Sequence, residues 1–132
     1  MEPVPKSFDW VRARAECSLE RLFRLLAETV DSDVRAVSAI KRPDQSVFEV
    51  IPALHKVIVS RTKDTGGIPS VETVVFELVS NGIHVRRGKD TSVFTATPVL
   101  DARGDCRLEV SGESLELWQV SRKALEGLFF GQ

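Results

Sequence analysis

The chain of 132 residues has no tyrosine, one methionine, two histidines and two cysteines. Each shortage narrows the chemistry on offer. A structural zinc site needs four closely placed ligands, often in C-x-x-C or H-x3-H spacing. Cys17 and Cys106 stand far apart, and neither His55 nor His84 has a cysteine or carboxylate partner in such a pattern. No metal or cofactor site is therefore expected. Two cysteines make no disulfide framework, so both are expected as reduced, mostly buried thiols.

Other absences concern motifs. Serine is plentiful, yet no G-x-S-x-G elbow is present. "KDTGG" at 63–67 has a lysine and two glycines but leads toward Ile68-Pro69 and a strand. A phosphate-binding P-loop would lead into a helix after GK[ST]. With no catalytic constellation in view, the chain is not expected to be an enzyme. No apolar run approaches the roughly 18 residues needed to cross a bilayer. "MEPVPKSFDW" contains no apolar leader-like core, so the expected location is the cytoplasm.

Charge of one sign is also lacking. The net charge is −1, from 18 basic and 19 acidic residues. Residues 1–40 carry six basic and seven acidic groups, 41–90 eight and six, and 91–132 four and six. Nucleic-acid binding usually leaves a clear basic excess and, on a sheet, exposed aromatics for stacking. The densest basic spot is "VRRGK", with Arg86, Arg87 and Lys89. It reads as a solvated hairpin tip, and nucleic acid is not an expected partner.

What is present suits one folded domain over residues 1–132, with 42% hydrophobic and 28% charged residues. Residues 1–6 hold two prolines and are expected to be loose. From Ser7 as a cap, helical periodicity runs over about 8–30, with Ala15, Leu19, Leu22, Leu26 and Val30 on one stripe. "DSD" at 31–33 suggests a stop and a new cap, then a short helix over about 32–41 that carries Val34, Val37 and Ile40.

After Pro43 the apolar period falls to two. "SVFEVI", "HKVIVSR", "VETVVFELV", "GIHVRR", "SVFTATPVL", "CRLEV" and "SLELWQ" read as strands, with 62–69 as a loop. Asn81-Gly82 suggests a two-residue hairpin pairing Ser80 with Ile83 and Leu78 with Val85. Phe76, Leu78, Ile83 and Val85 then face the core, while Glu77, His84 and Arg86 face outward. Ser111-Gly112 suggests a second hairpin, with Leu108 opposite Leu115 and Arg107 opposite Glu116. Pro98 cannot donate to a ladder and places its strand at an edge or a bulge. Ser121, with Val120 and Leu125 as a hydrophobic staple, suggests a last helix over about 122–130.

The expected fold is α+β: N-terminal helices on an antiparallel, hairpin-rich sheet of about six or seven strands, closed by a short C-terminal helix. Two uses follow. The first is protein–protein contact, as a homodimer, through Trp10, Trp118, Phe129 and Phe130; the apolar inventory is generous for one sheet face and a few helices. The second is a cup for a small apolar ligand between the long helix and the sheet. Its lining would be Leu22, Leu26, Phe76, Leu78, Phe94 and Leu117, with His55 and Arg61 at the mouth as the candidates for any enzymatic use of the cup.

Overall fold

The computed structural model describes residues 8–131. The expected cap at Ser7 and the loose segment 1–6 lie outside them. Three helices and seven strands follow in the order α1 (Trp10–Glu16), α2 (Leu19–Ser38), β1 (Val47–Ala53), β2 (Lys56–Thr65), β3 (Ile68–Val79), β4 (Gly82–Arg87), β5 (Thr91–Leu100), β6 (Cys106–Val110), β7 (Glu113–Leu115) and α3 (Leu117–Phe130). The strands form one antiparallel meander, each paired with its sequence neighbours. This is the expected α+β architecture.

The helices begin and end elsewhere than their periodicity suggests. Asp9 caps α1, its carboxylate accepting the Arg12 N–H at 3.0 Å. The chain breaks at Cys17 and Ser18, where Ser18 takes an extended conformation and its hydroxyl accepts the Arg21 N–H at 3.2 Å. That small cap lies hidden inside an unbroken apolar stripe. Beyond it α2 runs straight through Asp31-Ser32-Asp33. Neither aspartate caps a helix: Asp31 pairs with Arg35 on the same helix at 3.0 Å, and Asp33 accepts the hydroxyl of Ser121, from the last helix, at 2.6 Å.

Leu22, Leu26, Val30, Val34 and Val37 form the buried stripe of α2. Their burial against the sheet and α3 is worth about 1.5–3 kcal/mol each, which is why a 20-residue helix holds here. By contrast, Val11 and Ala15 of α1 are exposed.

Four tight turns set the sheet. Leu54-His55 joins β1 to β2, with His55 at φ 59°. Gly66-Gly67, both at positive φ, joins β2 to β3. The expected loop over 62–69 is thus mostly strand: Thr65 already pairs with Ile68. Two adjacent glycines accept the left-handed conformations such a turn requires, so no longer loop is needed.

Between β3 and β4 the turn residues are Ser80 and Asn81, and Gly82 pairs with Val79. The register is therefore Leu78–Ile83 and Phe76–Val85, not Leu78–Val85. The difference preserves parity, so Phe76, Leu78, Ile83 and Val85 still share the core face. Gly82 serves closeness: a Cβ there would sit 2.6 Å from the Ala96 carbonyl oxygen on β5. Ser111-Gly112, both at positive φ, makes the β6–β7 turn with Leu108 opposite Leu115, as expected.

Pro98 lies where β5 has left β4 and pairs only with β6, so its missing N–H costs no ladder bond on the open side. Earlier in β5 a bulge shifts the register between Val85 and Arg86.

Cys17 and Cys106 are joined in a disulfide, with Cα atoms 5.4 Å apart, and no cysteine is free. This corrects the expectation of two reduced thiols. The bond ties the α1–α2 junction to the start of β6. Spacing rules find disulfides in dense frameworks; a single bond between two distant positions leaves no local pattern.

A candidate docking groove between two helices

The last helix begins at Leu117, five residues before the expected start at Arg122. Gln119 accepts the backbone N–H of Glu116 at 2.8 Å, the return half of a capping box. Glu116 also accepts the indole N–H of Trp118 at 3.0 Å. With α3 starting there, β7 is only three residues long. Ser121 becomes a fully buried helix residue, not a cap, and its hydroxyl bonds Asp33 across the α2–α3 contact. Val120, Ser121, Leu125, Leu128 and Phe129 form the buried face of α3.

Its far end is fixed by one cation. Arg61 of β2 is 4% exposed and uses every arm. It donates to the Leu128 carbonyl at 2.9 Å, to Asp44 Oδ2 at 2.7 Å and to Ser46 Oγ at 3.0 Å. The Leu128 carbonyl is one of the helix-end acceptors that have no intrahelical partner, so the guanidinium caps α3 from the sheet. Asp44 is held down to about 2, first by the Ser46 hydroxyl and backbone N–H bonds and then by Arg61, against a burial effect in the other direction. The aromatic face of Phe48 lies under both Arg61 and Arg42, and Arg42 also covers Phe130. Phe129 packs edge-on against Phe48, with centroids 5.3 Å apart.

With both ends held, α2 and α3 leave a groove of about 350 Å³ between them. Val37, Leu125 and Phe129 contribute to its apolar lining, and Asp33, Arg122 and Glu126 are its charged members. Three large apolar side chains stand exposed along it: Ile40 at 51%, Trp118 at 53% and Phe130 at 63%. Trp118 has already satisfied its N–H on Glu116, so its ring presents apolar surface.

The other sequence candidates are spread out. Trp10 is exposed on α1 and does not line this groove. Leu22, Leu26, Phe76 and Phe94 are buried in the core cluster, with Leu78 and Leu117 packed at its margin. Only Leu22 and Leu117 of these six also border a separate recess of about 200 Å³ beside Cys106. Arg61 is the buried clasp described above, and His55 occupies the exposed β1–β2 turn. The structure does not bring these two together at a cavity.

Arg86 pairs with Glu77 at 2.7 Å, holding that carboxyl below its usual range, and Arg87 pairs with Glu72 at 3.2 Å. Lys89 is exposed in the β4–β5 turn. Arg107 links the β5–β6 turn to the foot of α3: it donates to Asp101 at 2.6 Å and lies 3.5 Å from Glu116.

The groove-lining residues Ile40 and Asp33 were not sequence candidates for a site. Ile40 ends the α2 periodicity and reads as core until α3 is seen to stop short of covering it. Among the described residues no group of three or more histidine, cysteine or carboxylate side chains is placed to hold a metal ion, and no helix is long and apolar enough to cross a membrane. No protein-family model, curated protein or solved structure matches the chain.

Proposed function

We propose that this protein works by protein–protein contact, as a homodimer, and that the α2–α3 groove is the contact surface. The observation that carries the reading is the convergence of Ile40, Trp118 and Phe130, all more than half exposed, on one apolar groove. Isolated exposed apolar residues are ordinary, but a cluster around a concave apolar surface is the usual mark of a docking site. Tryptophan and phenylalanine are also the large, stiff side chains that anchor interfaces.

Sedimentation equilibrium tests this directly. The wild-type chain is expected to be dimeric at tens of micromolar, and Trp118→Ala to shift it toward monomer. A wild-type chain that stays monomeric throughout that range overturns the reading. The groove volume also falls at the lower end of small-molecule sites, which supports the second reading, an apolar ligand. A monomer that carries a co-purified apolar molecule in its native mass spectrum would favour it.

The compartment turns on the cysteines. Cytoplasmic thiols are kept reduced, whereas a bonded Cys17–Cys106 pair fits an oxidising compartment. Thiol titration of the protein from its native host separates a cytoplasmic location from the other.

A further inference from the structure

The exposed side of α3 carries an ordered pattern. Trp118, Arg122, Glu126 and Phe130 are all exposed and follow one another at intervals of four residues. At 1.5 Å rise per residue they form a ridge about 18 Å long on the helix surface. Read in either direction, the ridge is aromatic, charged, charged, aromatic. Its midpoint is residue 124 for both pairs: 118 with 130, and 122 with 126. Reversal exchanges the two charges for their opposites, so the ridge is complementary to an antiparallel copy of itself.

The geometry points to a second copy of this chain as the occupant of the groove, bound with α3 against α3 about a two-fold axis at residue 124. This rests on the homodimer reading above and names its contacts. In that arrangement Trp118 of each chain meets the Phe130 end of its partner, where Ile40 adds apolar surface. Arg122 of each chain meets the partner's Glu126, twice by symmetry. An isologous contact demands this kind of self-complementary surface, here with an aromatic side chain at the same distance beyond each charge. Ridges of four-residue spacing lying side by side cross at about 50°, the commonest helix-packing class.

The free chain has these groups ready. Arg122 and Glu126 pair with each other at 3.1 Å within the helix, with side chains 64% and 57% exposed. Such an exposed pair contributes little to the monomer, and both partners can turn to the facing chain at small cost. Trp118 and Phe130 flank the charges as an apolar pair at each end, so the contact buries aromatic surface while its charged centre fixes direction and register.

Charge reversal on the full-length protein distinguishes this contact from any other. Arg122→Glu alone places four carboxylates at the centre of the dimer, and Glu126→Arg alone places four guanidinium groups there. Each single variant is expected to self-associate at least about tenfold more weakly than wild type. Mixed in equal amounts, the two are expected to recover association as a heterodimer, because every cross-chain pair is again opposite in sign. Both positions are exposed, and circular dichroism should show wild-type melting for each monomer. Rescue on mixing cannot come from the pair within one helix, which remains like-charged in both variants.

If the wild-type chain dimerises and both single variants dimerise as tightly, the α3 pairing is overturned while protein contact through another surface stands. If the variants weaken but mixing does not restore association, the two-fold pairing is likewise overturned. If the wild-type chain is monomeric throughout, the homodimer reading fails and takes this contact with it.

Discussion

The two terminal helices are held by opposite means. α1 has seven residues and none of them is buried. α3 has fourteen, five of them buried, and its end is clasped by Arg61. Next to α1 lies the disulfide from Cys17 to Cys106; next to α3 lies no covalent bond. A helix of seven residues has no stability of its own, and α1 touches β5 without fully burying any residue there, so its local cap and its chain junction do most to position it. The junction is therefore bonded to the sheet. Where apolar area is buried, as under Leu125, Leu128 and Phe129, packing suffices. The contrast separates two kinds of stability: one restrains the unfolded chain, the other rewards the folded one.

The disulfide carries the largest expected effect. Its partners are 89 residues apart in sequence, so the bond closes most of the chain into a loop. In the chain-entropy account such a loop is worth about 4–5 kcal/mol, acting on the unfolded state. Replacing both cysteines by serine should lower the unfolding free energy by that amount, and the denaturant midpoint with it, while the folded groove and the dimer persist under native conditions. Urea unfolding with and without reductant measures it. Equal midpoints would mean that the bond contributes nothing and that α1 is positioned by contacts of its own.

On the packed side, Leu128→Ala removes a fully buried side chain from α3. The expected loss is about 3 kcal/mol, since the cavity lies between a helix and a sheet that are both restrained. The same urea curve reads it. A loss below about 1 kcal/mol would show that Arg61 alone secures the end of the helix. Both variants together should be close to additive, because one change acts on the unfolded chain and the other on a distant piece of the core.

How much of this was legible in the sequence depended on the range of the causes. The α+β class followed from the change of apolar period at Pro43, because periods of 3.6 and two are local properties. The Ser111-Gly112 turn was readable for the same reason. The β3–β4 register was not: Gly82 answers to Ala96 on β5, a neighbour that no local turn rule includes. The start of α3 was readable in principle from Glu116 and Gln119, spaced as a capping box, but the alternation of Leu115 and Leu117 spoke for a strand. Tertiary packing under Val120 and Ser121 favours the helix. The sequence places Arg61 at a pocket mouth, not in a clasp, because its three acceptors, Asp44, Ser46 and Leu128, come from other parts of the chain. Of the candidate interface, Trp118 and Phe130 line the groove, Phe129 lies beneath them and Trp10 lies elsewhere; Ile40, which was no candidate, was hidden by its own periodicity.

The smallest expected effect is at Trp10. A tryptophan near the start of a helix ordinarily reads as an anchor, and its truncation in a core costs several kcal/mol. Here it is 64% exposed on a helix with no fully buried residue. Trp10→Ala should therefore change stability by less than about 0.5 kcal/mol, as at ordinary surface positions. It should also leave self-association unchanged, since Trp10 lies outside the α2–α3 groove. Trp118, nearly as exposed, has the same side chain in the groove, so Trp118→Ala should weaken association while shifting stability little. If Trp10→Ala instead weakens the dimer, α1 belongs to the contact surface. Its lack of buried residues would then mark a helix covered only by the second chain.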